Sequence, residues 1–311
     1  MTAPLQSRKP LRLGLSGSSF IYAMPPELLE AAYIVARTGH GVRFDDRQNR
    51  LMASFMREMM RTISTFDIDA MECYHSPAWD NEPILEILLA NQRVEFWSAH
   101  APYGMYMDPS SSDPGARKGA TEADIETVEV AARLGAKVVV VHPGVNIESS
   151  ADRATRLRWV VEALGPVADF AGERGLCLAV EPLPQDEVGN TLDEVLWIVD
   201  GINRPNVGVN FDVNHLFPPE RIPDLIRQAG ELIVSVHISD QDGVERHWLP
   251  FAGMVDWRAV LAALIEVGYT GPLVYETHIE EAKNCDEVGR AVLANYQRLI
   301  ALAPASTGGT T

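Results

Sequence analysis

The chain has 311 residues, 46% of them hydrophobic, with 26 Lys and Arg against 43 Asp and Glu, a formal charge of −17. That composition supplies a full apolar core, and the charge disfavours a polyanion as main partner, because duplex binders owe much of their affinity to lysine and arginine on phosphates. No run of about 18 apolar residues is present to span a membrane, and three dispersed cysteines (Cys73, Cys177, Cys285) argue for a reducing compartment over a disulfide framework.

Residues 1–10 carry Arg8 and Lys9 with no apolar stretch behind them, so no signal peptide is expected and the expected location is the cytoplasm. Residues 1–10 and 304–311 read as flexible tails around one domain, residues 11–303. Leu11–Ser16 reads as a first strand, broken by Gly17-Ser-Ser19, and Pro26–Arg37 as a helix. Residues 39–49 are polar and irregular and look like an insertion near a binding mouth. Met52–Phe66 has apolar residues at helical spacing and feeds a strand over Ile68–Cys73. Its methionines read as core filler.

A regular alternation follows. Asn81 caps a helix with Pro83 in its first turn, and Val94–His100 is the third strand. The helix Thr121–Leu134 closes on Gly135 before the strand Lys137–His142. Arg153–Arg174 stops at Gly175, ahead of the strand Leu176–Glu181. Thr191 and Glu194 have capping-box spacing at the head of Leu192–Ile202, which precedes the strand Val207–Asp212. The short helix Ile222–Ala229 ends at Gly230 before the strand Ile233–His237. Asp256 caps Trp257–Val267, Gly268 closes it, the strand Leu273–Glu276 follows, and Asp286–Leu302 is the last helix.

Valine-rich strands with little alternation are buried on both faces, as in a parallel sheet covered by helices. Eight strand–helix units predict an α/β protein of the (β/α)8 TIM-barrel class as one domain. A doubly wound sheet is the competing arrangement, but no Gly-x-Gly-x-x-Gly or phosphate-binding loop follows any strand. Six strands end on a metal-capable residue: His100, His142, Glu181, Asp212, His237 and Glu276, at intervals of 42, 39, 31, 25 and 39 residues. An open sheet would spread them along an edge, whereas a closed barrel gathers them at one mouth.

Glu181, Asp212, His237 and Glu276 come from four consecutive strands. Three carboxylates and one imidazole suit a divalent cation of intermediate hardness, and carboxylates so crowded repel one another without one. Taken singly, each has an ordinary explanation, an ion pair for a glutamate or a satisfied core position for a histidine. Their shared placement is what favours a ligand set.

Several stretches carry a family resemblance: His100-Ala-Pro-Tyr103, Ala131 through His142-Pro-Gly144, Val180-Glu-Pro182, Asn206 through Asp212-Val-Asn-His215, Val236-His-Ile-Ser-Asp240 and Gly268 through Tyr275-Glu276. From about residue 66 onward the chain resembles the xylose isomerase-like barrel superfamily, which holds sugar isomerases, sugar epimerases and endonuclease IV. In the isomerase and epimerase branch the resemblance implies one divalent ion, Mn2+ by preference with Co2+, Mg2+ or Zn2+ compatible, held by Glu181, Asp212, His237 and Glu276. It implies enolisation of a ketose or keto-polyol, with Glu181 and Glu276 carrying protons and dehydration as a variant on the same site. His100, His142, His215, Arg246 and His247 are then the expected substrate contacts, with Trp248 and Phe251 as candidate stacking surfaces. The expected partner is a small sugar or polyol, with nucleic acid and membrane not expected and a homo-oligomer compatible. Resemblance to endonuclease IV implies a different centre. There nine ligands, His100, His142, Glu181, Asp212, His215, His237, Glu245, His247 and Glu276, would hold three ions for phosphodiester cleavage, with Glu245 standing where that family has aspartate.

Overall fold

The computed structural model describes residues 11–31, 43–76, 78–79, 81–91, 93–144 and 151–303. Eight parallel strands close into a barrel: β1 (Leu13–Ser16), β2 (Ala70–Tyr74), β3 (Glu95–His100), β4 (Val138–Val141), β5 (Cys177–Val180), β6 (Val207–Asp212), β7 (Ile233–Ile238) and β8 (Leu273–Tyr275). Closure is made by β1 against β8, where Leu13 pairs with Leu273 and Leu15 with Tyr275. The chain is therefore the expected (β/α)8 barrel, and the doubly wound alternative is excluded.

Among the described residues eight longer helices cover it: α1 (Asp46–Thr65), α2 (Asn81–Leu89), α3 (Pro114–Leu134), α4 (Arg153–Gly172), α5 (Leu192–Ile202), α6 (Ile222–Ala229), α7 (Trp257–Glu266) and α8 (Cys285–Ile300). Residues 26–31 are also helical, and the rest of the helix expected over Pro26–Arg37 falls outside the described residues. So do both tails and residues 39–42 of the expected insertion. Its other half is not irregular: Asp46 to Asn49 open α1. The Asp45 carboxylate takes the Gln48 amide N–H at 2.7 Å, and the Gln48 side chain accepts from the Asp45 N–H at 3.0 Å. This reciprocal capping box starts the helix two turns earlier than apolar periodicity suggests.

The box expected at Thr191 and Glu194 is only half made. The Thr191 hydroxyl accepts from the Glu194 N–H, but the Glu194 carboxylate turns away to Arg153 at 2.7 Å and to the Gly189 N–H at 2.9 Å. A charged donor outcompetes a backbone N–H for that carboxylate. Helix α3 begins at Pro114, about two turns before the expected Thr121, because Asp113 caps it and proline suits its first turn. It ends on Gly135, whose φ of +69° is the left-handed turn that only glycine takes without strain.

Strand residues facing outward, such as Leu15, Val139, Val141, Leu178, Phe211 and Ile238, pack under the helices in one large core. The barrel interior holds a smaller apolar layer of Val138, Val140 and Ala179. Above that layer the inward positions become polar, with Ser16, Glu72, Ser98, Asn210 and His237 all buried. This change of character toward the C-terminal strand ends sets up the site.

Candidate metal centre

Four ligand atoms, one each from Glu181, Asp212, His237 and Glu276, all lie within 4.8 Å of one another. His237 is the pivot. Its Nδ1 stands 2.9 Å from Glu276 Oε2, 3.4 Å from Glu181 Oε1 and 3.7 Å from Asp212 Oδ2. Asp212 ends β6 and pairs with His237, the last residue but one of β7, while Glu181 and Glu276 stand one residue past the ends of β5 and β8. Each side chain keeps one atom directed at the shared point by engaging the other elsewhere. Asp212 Oδ1 accepts from the Asn214 N–H at 2.6 Å, Glu181 Oε2 from the Asn210 amide at 3.0 Å, and Glu276 Oε1 from the Ser18 hydroxyl at 3.1 Å. Glu181 Oε1, Asp212 Oδ2 and His237 Nδ1 are buried with no hydrogen-bond partner. Buried polar atoms seldom go unpaired, so three converging on one point fit a divalent ion, and these donors suit Mn2+, Co2+ or Zn2+.

The second nitrogen of His237 is fixed by a residue that the strand-end pattern does not reveal. Glu72, buried in mid-β2, faces His237 Nε2 at 3.1 Å and accepts hydroxyl hydrogen bonds from Ser16 and Ser98, both at 2.8 Å. A carboxylate behind an imidazole sets the tautomer and leaves the far nitrogen free to bind a cation. The only sequence signal is a lone glutamate inside an apolar strand, which by itself is equally consistent with an ion pair.

The other expected residues gather around this point in two further groups that could each hold an ion. His100 and His142 join Glu181 in one, and His215, Glu245 and His247 form the other. His100 donates from Nδ1 to the Ala101 carbonyl at 2.8 Å, which leaves Nε2 facing Glu181 Oε2 at 3.3 Å. His215 donates to the Pro182 carbonyl at 2.9 Å, and His247 to that of Glu276 at 3.2 Å. The loop carrying His247 is held by Asn214, whose side-chain oxygen accepts from the Arg246 and His247 N–H groups at 2.9 and 3.0 Å. It is also held by buried Asp240, which accepts from Phe251, Val255 and the Trp257 indole.

Arg246 departs from its expected place. Its guanidinium lies exposed on Asp242 at 2.9 Å and over the Trp248 ring. Arg246, Trp248 and Phe251 do not line the cavity above the centre, whereas His278, which sequence reasoning passed over, does. An arginine beside an aspartate four residues earlier finds its partner locally, and that pairing turns it outward.

The charged groups of the cluster set one another's protonation. Burial raises the Glu181 carboxyl, but His237 and the neighbouring imidazoles of His100, His142 and His215 outweigh it and hold the group well below the carboxylate range. Glu276 behaves alike, with burial opposed by His237 and His247. Burial lowers His237, yet Glu72, Glu276 and Glu181 carry it well above the ordinary imidazole value.

Residues 60–296 match the family described as the xylose isomerase-like TIM barrel. The chain belongs to that family. It is similar to a ketose 3-epimerase of Arthrobacter globiformis, 31% identical over 175 residues, which are 55% of this chain and 59% of that protein. The matched stretch thus spans under two thirds of that epimerase. A solved D-tagatose 3-epimerase-like protein superposes with a TM-score of 0.64 at 26% identity, covering 78% of this chain and 93% of that one. The IolI protein, solved with a bound zinc atom, superposes with a TM-score of 0.70 at 16% identity over 95% of this chain and all of that one, a likeness of fold. Members of this family related to the chain thus include proteins acting on sugars. Among the described residues, no helix is long and apolar enough to cross a membrane.

Proposed function

We propose that the chain is a divalent-metal-dependent sugar epimerase or isomerase acting on a ketose or keto-polyol, with Glu181 and Glu276 as its proton carriers. The observation that carries the reading is the convergence of Glu181, Asp212, His237 and Glu276 within 4.8 Å, and the similarity to a ketose 3-epimerase supports it. A cation there, Mn2+ by preference, supplies Lewis-acid polarisation of a sugar carbonyl. One glutamate then removes the proton from the carbon beside the carbonyl, giving the enediolate. The other returns a proton to the opposite face for epimerisation or to the neighbouring carbon for isomerisation. With a cation bound, His237 gives up the proton on Nδ1 to ligate it, and the cation would then keep both carboxylates ionised, the state a base requires. His100, His142, His215 and His247 stand around them as donors to substrate hydroxyls, and elimination of water from a keto-polyol shares the same first step.

The two flanking groups, His100–His142–Glu181 and His215–Glu245–His247, favour a second reading, a three-ion phosphodiesterase resembling endonuclease IV. The charge of −17 opposes it.

The test is solvent exchange. Metal-loaded protein in D2O with a panel of ketoses and keto-polyols, free and glycosidic, is expected to place deuterium on the carbon next to the carbonyl of at least one of them. Absence of label throughout the panel contradicts the reading.

A further inference from the structure

The cavity above the metal-ligating residues has a volume of about 430 Å3, within the range of roughly 300–1,000 Å3 that holds drug-sized ligands. Its two ends differ in chemistry. One is polar, lined by Glu181, Glu276 and the histidines around them. The other is apolar, lined by Met52, Phe55, Met56 and Met59 of α1, by Met71 of β2 and by Trp79. Strand alternation explains the divide. Glu72 faces the barrel interior and His237, so Met71 beside it faces the opposite way, toward α1.

All six of these apolar side chains are at least nine-tenths buried. Interiors are close-packed, with few voids larger than a water molecule, so an apolar chamber that opens into the catalytic mouth is not ordinary core. Nor does it match the surface of a free sugar, most of whose hydroxyls would lose their water against methionine and phenylalanine side chains that return no strong hydrogen bond. The sulfur-rich wall suits an apolar group, since methionine is unbranched, polarisable and favourable against aromatic rings. Continuity with the polar end is direct: Tyr74 of β2 lines the same cavity and stacks on His100 with ring centroids 5.3 Å apart.

We propose that the substrate of this site is a keto-sugar bearing an apolar aglycone, the sugar ring at the carboxylate–histidine end and the aglycone in the methionine chamber. This rests on the keto-sugar reading above and narrows it from free ketoses to glycosides. The chamber selects the substrate by what is attached to the sugar rather than by its hydroxyls.

Calorimetric titration of Mn2+-loaded protein with phenyl β-D-glucopyranoside and with methyl β-D-glucopyranoside separates the two ends, because neither ligand is turned over and they differ only in the apolar group. The phenyl glucoside is expected to bind at least about tenfold more tightly, the effect of burying one aromatic ring. A Met56→Gln variant, which puts an amide in the wall, is expected to lose most of that gain and leave methyl glucoside binding unchanged, whereas Met56→Leu keeps it. Equal affinity for the two ligands overturns the proposal, as does a phenyl gain that survives in Met56→Gln or phenol alone binding as tightly as its glucoside. The wild-type comparison stands whether or not the Gln variant folds. Failure here with solvent exchange on free ketoses intact rejects the aglycone alone, and failure of exchange on free and glycosidic keto-sugars alike rejects the chemistry beneath it.

Discussion

Glu72 has no direct place in the ligand set, yet its effect on it is large. With two serine hydroxyls on its carboxylate and His237 Nε2 at 3.1 Å, it fixes the orientation of the one imidazole that faces all three carboxylates. Glu72→Gln preserves shape and hydrogen bonding to the serines but removes the charge behind the ring. Metal affinity measured by calorimetry is expected to fall about 10- to 100-fold, and an unchanged affinity contradicts the role. A second residue, His75, has a different consequence. Buried against the Thr127 hydroxyl at 2.7 Å, it is pushed down to about 4, chiefly by desolvation. Between that value and its unfolded value near 6.5 the unfolded chain binds the extra proton, so His75 costs stability as pH falls through this window. Unfolding free energies of the wild type and His75→Gln, compared at pH 7 and pH 4, are expected to shift against the wild type by about 3 kcal/mol in acid. A difference independent of pH contradicts it. Strand-end placement made Glu181, Asp212, His237 and Glu276 legible in the sequence as a set. Glu72 was not legible, because its partners Ser16, Ser98 and His237 lie on three other strands and only the closed barrel brings them to it. Arg246 shows the converse, a residue whose partner Asp242 lies only four positions away in the sequence.

At the scale of the elements, the chain order of strands and helices follows from the hydrophobic pattern and the glycines that close helices, and the departures occur at helix starts. Helix α1 extends back to Asp46 because Asp45 and Gln48 cap each other, and α3 extends to Pro114 because Asp113 caps it; polar caps carry no periodicity, so a reading of apolar spacing begins each helix late. Elements also depend on close approaches that spacing cannot show. Gly208 on β6 has no room for a side chain, since a Cβ there meets the Leu232 carbonyl oxygen at 2.5 Å and Val234 Cγ1 at 2.7 Å. Gly208→Ala forces β6 away from β7 and is expected to destabilise the protein by about 1–3 kcal/mol, seen as a lowered thermal midpoint. Because β6 delivers Asp212, metal affinity should weaken with it, and a midpoint equal to the wild type contradicts the packing argument.

The whole barrel gathers to one mouth what the sequence spreads over some two thirds of its length, because the closed strand order β1 to β8 sets the strand ends side by side. The same closure brings three potential ligand groups together, so the molecule alone is compatible with one ion and sugar chemistry or with three ions and phosphodiester chemistry. Ion count therefore bears most directly on the account. Equilibrium dialysis of the metal-free protein against Mn2+, with bound metal measured by elemental analysis, is predicted to find one tightly held ion per chain and none in Asp212→Ala, which removes a ligand without touching either proposed proton carrier. Three tightly held ions, or one that persists in Asp212→Ala, would contradict it.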